Sequence, residues 1–221
     1  MGQVRSTDWV EQHFGEFGWK DDPKRPGGIV ILGEWERQHL VTLPAPFAMA
    51  DGKGRPVEEI RCHRLIAVPL RRTLEDLARQ KLAHLVNTFE GCFVPRHRGW
   101  DKTRGLSRHS WGIAVDLNAR LFPLGSRQKQ DARLIAVFAR QGFAWGGDWS
   151  LPDPMHFEMT DLPAPSDHLD ILVDGEKVTT GFLRDGRAVA PVREIVEALG
   201  VTVEARVDEG AVEINTNTGG H

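Results

Sequence analysis

The stretch SRHSWGIAVDLN, Ser107 to Asn118, puts a histidine, a glycine, small apolar residues and an aspartate close together. From Ile113 onward the residues alternate. Ile113, Val115 and Leu117 share one face of an extended strand, and Ala114, Asp116 and Asn118 share the other. Asp116 thus points away from the apolar set, toward a cleft. His109 stands seven residues before Asp116, an odd spacing that a regular strand places on opposite faces. A turn or bulge at Gly112 would bring the imidazole and the carboxylate to one side.

An imidazole nitrogen and a carboxylate oxygen are both good ligands for zinc, but a catalytic site needs a third ligand. Residues 153–158, DPMHFE, offer His156, with Asp153 three positions before it. A carboxylate that stands near a metal without binding it can take the proton of an attacking water. The residues therefore suggest a His109/Asp116/His156 site with Asp153 as general base. Each also has an ordinary reading. A single histidine is more often a core or surface residue, Asp116 could cap a turn, and Asp153 precedes a proline and could be a turn residue.

The rest of the chain sets bounds. It has 221 residues, 40% hydrophobic and 27% charged, which suits one medium domain or one domain plus a small module. A net charge of −3 gives no basic field, so no nucleic-acid partner is expected. No apolar run reaches the ~18 residues of a membrane span. The N-terminal MGQVRSTDWVEQHFGEFG lacks the apolar centre of a signal peptide, so synthesis in the cytoplasm is expected. Cys62 and Cys92 fit no zinc spacing and read as buried thiols, or as a disulfide if the fold joins them.

Along the chain, residues 1–60 are rich in Gly and Pro, with short extended segments at Ile29–Leu32 and Leu40–Leu43. Residues 64–88 show helical spacing through Leu70, Leu74, Leu77, Leu82 and Leu85, interrupted near Gln80–Ala83. GCFVPRHRGWDKTRG reads as a strand and then a basic loop. KQDARLIAVFARQGF reads as a helix stopped by Gly142, and AWGGDWSLPDPMHFEMT as turns ending in a strand. DLPAPSD, residues 161–167, reads as a linker. Beyond it, Asp174-Gly175 and Asp185-Gly186 signal two hairpins, PVREIVEALG a short helix, and VTVEARVDEGAVEINT a closing hairpin.

The motif S-x-H-x-x-G-x-A-x-D followed by D/E-x-x-H is met at every specified position by Ser107, His109, Gly112, Ala114, Asp116, Asp153 and His156. With WGGDWSLPDPMHFE and the upstream GCFVPRHRGW, it makes residues 30–162 resemble the zinc D-alanyl-D-alanine carboxypeptidase and L-alanyl-D-glutamate endopeptidase family, in its endolysin-like branch. The resemblance implies an α+β fold, a small antiparallel sheet with flanking helices of the hedgehog and DD-peptidase kind. It implies zinc on His109, Asp116 and His156, and Asp153 as the catalytic carboxylate. An upstream arginine, Arg96 or Arg98, would hold a peptide carboxylate, with Ser107 near the substrate. Asp148 and Glu158 flank the site, and His97 reads as structural. The implied substrates are peptidoglycan stem peptides, cut at the cell wall in phage lysis or after another export route. Which bond is cut stays open between a terminal D-Ala and the L-Ala–D-Glu link.

The tail, through VDGEKV, GFLRDGRAVAPVREIVEALG and VEINT, resembles the small α+β module found at the N-terminus of copper amine oxidases. The expected division is a peptidase domain over 1–163 (core about 30–162) and this module over 168–217. The module would either contact the cell wall or merely stabilise the chain. It carries no metal-ligand cluster, so neither copper nor oxidase activity is implied. A rival reading is a non-catalytic cell-wall-binding protein on a peptidase fold. Asp153 argues against it, because a site that only binds has little need of that carboxylate.

Overall fold

The computed structural model describes residues 5–162, 169–173, 176–184, 187–190, 192–199, 202–206 and 211–215. The chain divides into two compact units, Met1–Leu162 and Pro163–His221. Both are mixed α+β, with small antiparallel sheets and few helices. The linker reading at 163–167 lies outside the described residues.

In chain order the first unit holds α1 (Thr7–Phe14), β1 (Trp19–Asp21), β2 (Ile29–Ile31), α2 (Trp35–His39), β3 (Leu40–Pro44) and β4 (Glu59–His63). Next come α3 (Arg64–Arg79), β5 (Phe89–Gly91), β6 (Ala114–Leu117), α4 (Ala132–Arg140), β7 (Phe143–Trp145) and β8 (His156–Met159). The strands at Ile29 and Leu40 and the break after α3, where Ala83–Leu85 is a separate 3-10 turn, match the sequence pattern. Two elements differ from it. The Gly- and Pro-rich opening also holds helices α1 and α2, too short to show a period. Only Val10 and Phe14 of α1 and Trp35 of α2 are buried. The strand expected to begin at Gly91 is β5, and it ends there.

Helix α3 buries Ile66, Leu70, Leu74 and Leu77 on the stripe its spacing announced. Helix α4 starts on Asp131, whose side chain accepts from Arg133 N, and buries Leu134, Val137 and Phe138. It stops at Gly142, at φ 86°, where a Cβ would meet the Asp161 carbonyl at 2.1 Å. The Phe138 ring stacks on Phe157 of β8 at 4.3 Å and so ties α4 to the sheet.

That sheet has the order β5-β6-β8-β7. Strand β6 lies inside it, and all four of its residues are buried. Register places Asp116 opposite His156 across β6 and β8. At its end, Asn118 takes φ 60°, its side-chain oxygen accepts from Asn87 N and Thr88 N, and its amide donates to the Leu85 carbonyl and to Gln130 Oε1. Gln130 Nε2 in turn donates to the carbonyls of Leu117 and Pro154. One buried amide thus links the residue after Asp116 to the loop before His156.

The question raised by the odd His109–Asp116 spacing is answered at Gly112. Arg108–Trp111 is a 3-10 turn, not strand, and Gly112 closes it at φ 65°. The left-handed residue turns the chain from the histidine into β6. A Cβ there would also stand 3.1 Å from His63 N. Gly112→Ala is therefore expected to cost about 1–3 kcal/mol. Denaturant unfolding checks this, and an unchanged midpoint would mean that the turn does not need the left-handed conformation. Cys62 and Cys92 are buried free thiols, and burial pushes the Cys62 thiol up to about 12.

In the second unit, β9 (Leu169–Val173), β10 (Glu176–Arg184) and β11 (Arg187–Val189) form an antiparallel sheet. Helix α5 (Val192–Ala198) follows, then the hairpin of β12 (Thr202–Arg206) and β13 (Ala211–Asn215). Val173 pairs with Glu176, and Arg184 with Arg187, the register of two-residue turns. The two Asp-Gly dipeptides themselves lie outside the described residues.

Candidate metal centre and its cleft

Three elements converge on one point. The 3-10 turn supplies His109, β6 supplies Asp116 and β8 supplies His156. All three are buried, and one ligand atom from each lies within 4.8 Å of the others.

The tautomer of His109 follows from its neighbour. Its Nδ1 is 3.0 Å from the Cys92 carbonyl, which can only accept, so Nδ1 carries the hydrogen. Nε2 is then a bare lone pair, and burial keeps it so by lowering the pKa of the ring. That nitrogen stands 3.0 Å from Asp116 Oδ2 with no hydrogen-bond partner. Two acceptors aimed at each other in a buried site fit a bound cation.

His156 is held from both sides. Its Nδ1 meets Asp116 Oδ1 at 2.8 Å and its Nε2 meets Glu158 Oε2 at 3.2 Å. Burial alone would lower its pKa, but the two carboxylates outweigh burial and raise it to about 10. Asp116 likewise resists burial and stays well below the usual carboxylate range, with the hydrogen bond and charge of His156 among the causes. Without metal, both nitrogens of His156 carry protons at neutral pH. A metal on Nδ1 must displace one, so affinity should rise with pH until about 10. Uptake near neutral pH should release about one proton per metal. Calorimetry in buffers of different ionisation enthalpy reads this number, and zero release would contradict a doubly protonated His156 in the metal-free site.

Glu158 is two residues beyond His156 on β8 and shares its face, so it can accept from the outer ring nitrogen and orient the inner one. Arg108 Nε lies 4.0 Å from the same carboxylate. Asp148 is exposed and is not among the cleft-lining residues.

A cleft of about 330 Å³ opens over His156. Its lining includes Arg96, Arg98, Ser107, Asp153 and Glu158. The Asp153 backbone N donates to the Gly146 carbonyl at 2.9 Å, and Trp145 Nε1 donates to Pro154 O at 2.8 Å. The Asp153 carboxylate is less tied, with Oδ1 buried and lacking a hydrogen-bond partner. Burial raises its pKa, as does the charge of Asp116, against the opposing pull of His156 and Arg96.

Both arginines expected near the substrate line the cleft, but of the two only Arg96 reaches the His-Asp-His group, its Nη2 3.5 Å from Asp116 Oδ2. Its backbone is clamped to the ligand turn, because Ser110 Oγ accepts from Arg96 N and donates to its carbonyl. Ser107 is buried at the cleft, and its N donates to the same carbonyl. His97 is structural, bridging the Arg104 carbonyl and Asp21. Sequence reasoning missed Arg108 and Trp149, whose ring lies 5.3 Å from His156. Arg108 sits inside the motif, between Ser107 and His109, and that cation beside a ligand was the available signal.

A family model described as D-alanyl-D-alanine carboxypeptidase matches residues 100–159. The matched segment holds His109, Asp116, Asp153 and His156. No solved structure matches the chain. The family match and the buried His-Asp-His group together support a peptidase that works with a bound metal. Among the described residues, no helix is long and apolar enough to cross a membrane.

Proposed function

We propose that this chain is a zinc-dependent peptidase that hydrolyses peptidoglycan stem peptides, as a D-Ala-D-Ala carboxypeptidase or an L-Ala-D-Glu endopeptidase. The observation that carries the reading is the orphaned His109 Nε2 facing Asp116, beside a cleft lined by Asp153, whose buried Oδ1 also lacks a hydrogen-bond partner. Two imidazoles and one carboxylate are a donor set that suits zinc. His109 Nε2, Asp116 and His156 Nδ1 would hold the ion.

When bound, zinc acidifies a water to a pKa of ~7 and polarises the scissile carbonyl. Asp153 accepts the proton of the attacking water on its carboxylate and delivers it to the leaving amine nitrogen as the C–N bond breaks. Its raised pKa moves it toward the range a proton shuttle needs. Arg96 offers a planar fork to a substrate carboxylate, and Ser107 lines the same wall. Glu158 keeps the His156 ring turned so that Nδ1 faces inward.

The fold we assign to the first unit is of the hedgehog and DD-peptidase kind, with the peptidase domain over 1–163. The amine-oxidase-like module over 168–217 serves in wall contact or as a stabiliser, and the site of action is the cell wall. The second reading, a protein that grips wall fragments without cutting, has Asp153 against it.

Incubation of purified peptidoglycan with the protein, followed by mass spectrometry of what is released, tests this reading. Released D-Ala or peptides cut between L-Ala and D-Glu support it. Binding to the wall with no released fragment would leave only the second reading. A chain ending at Pro163 should still cut small soluble stem peptides, and its failure to fold would refute the domain division.

A further inference from the structure

The first and last residues of the turn that carries His109, Arg108 and Trp111, both donate side-chain hydrogen bonds to the N-terminal segment. Arg108 Nη2 donates to the Arg5 carbonyl, and Trp111 Nε1 donates to the Gly15 carbonyl at 3.0 Å. These two acceptors stand at opposite ends of α1. Ser6 caps its start, with Oγ accepting from Trp9 N at 3.1 Å, and Gly15 ends it at φ 85°. A helix fixes the distance between its ends, at about 1.5 Å of rise per residue, so α1 is a rigid spacer between the two anchor points. Val10 and Phe14 seat it in the core. His63 ties its far end to the same turn. The His63 Nδ1 accepts from Leu65 N, so Nε2 carries the hydrogen and donates to Phe14 O at 3.1 Å. The His63 backbone N donates to Gly112 O at 2.9 Å. The Phe17 ring packs on Trp111 at 4.9 Å.

The segment also reaches the strand of His156. Arg5 Nε donates to the Thr160 carbonyl at 2.7 Å, one residue past β8. Arg108, seated on the Arg5 carbonyl, faces Glu158 at 4.0 Å, and Glu158 meets the outer nitrogen of His156. Residue 5 therefore joins the His109 turn to the His156 strand. The turn needs such ties. It is a single four-residue 3-10 turn, a form whose hydrogen bonds are poorly aligned, so its own bonds hold His109 weakly. A metal site demands its donors within about 0.5 Å of their productive places.

We propose that residues 5–17 are a positioning element of the metal centre. Through Arg108 and Trp111 they set the place of His109, and through Arg5 they hold that turn against the strand of His156. This rests on the metal-site reading above. It extends the working unit to residues that precede both the 100–159 family match and the core expected from about residue 30.

Two readouts test it: zinc affinity by competition with a chelator, and the visible spectrum of the cobalt-loaded protein, which reports ligand geometry. Trp111→Phe keeps a buried aromatic ring and removes the indole donor. It should shift the cobalt bands and weaken zinc about tenfold, the lower end of what losing a supporting partner costs a metal site. Arg5→Ala cuts the tie to Thr160 and should weaken zinc by a smaller factor. Arg5→Lys, which can still donate, should restore most of it. Leu74→Ala, a core truncation in α3, is the comparison. It should lower the denaturant midpoint and leave both metal readouts unchanged. A folded Trp111→Phe protein that binds zinc and cobalt as the parent does would overturn the proposal. Should that variant not fold, the same result from Arg5→Ala, which spares the core, would overturn it. Equal weakening by Leu74→Ala would also do so, because affinity would then follow stability alone. A parent protein that takes up neither metal would refute the metal centre itself and the proposal with it, whereas unchanged variants of a metal-binding parent sink the proposal alone.

Discussion

Asp153→Asn is expected to give a folded, zinc-loaded protein that cuts its peptide about 10²–10⁴-fold more slowly, the usual cost of removing a general base. The substitution keeps the size of the side chain and its backbone bond to Gly146. The three proposed ligands, His109, Asp116 and His156, stay in place. What is lost is an oxygen able to accept a proton at neutral pH. Because Asp153 Oδ1 has no hydrogen-bond partner to lose, stability should change little or improve. Loss of zinc from this variant would make Asp153 a ligand and would displace Asp116 from the set. Undiminished turnover would move the base elsewhere, with Glu158 next in line, since it too borders the cleft.

His156→Ala is expected to abolish stoichiometric zinc binding. It removes one of the three proposed ligands and leaves Asp116 and Glu158 buried without the imidazole that both of them face. Glu158→Gln should be milder, because it touches only the outer nitrogen. Losing such a partner typically weakens a metal site ~10–100-fold. His97→Ala should leave zinc content unchanged, since that ring bridges Arg104 and Asp21 instead. Metal analysis after dialysis ranks the three. Zinc retained by His156→Ala at about one per chain would refute the ligand set.

Much of the site was legible because its chemistry is local in sequence. Asp116 could be assigned to the polar face of β6 from alternation alone, and Glu158 shares a face with His156 by the same period. The turn that brings His109 round was marked by Gly112, which takes the left-handed conformation. The α3 and α4 stripes were legible because each is long enough to repeat. Helices α1 and α2 were not, being anchored by one to two buried residues apiece. Nor could sequence say which arginine reaches the ligands. Arg96 and Arg98 are two residues apart, and the choice depends on how Ser110 clamps the Arg96 backbone. The role of the Cys92 carbonyl in fixing the His109 tautomer was also hidden, because a backbone acceptor leaves no mark on residue identity.

Turnover of a soluble stem peptide, followed while zinc is removed and then returned, tests the zinc peptidase most directly. Activity should vanish with the metal and return in proportion to zinc, reaching its full value at about one ion per chain. Full turnover by the metal-free protein, or none by the protein carrying one zinc at His109, Asp116 and His156, would contradict it.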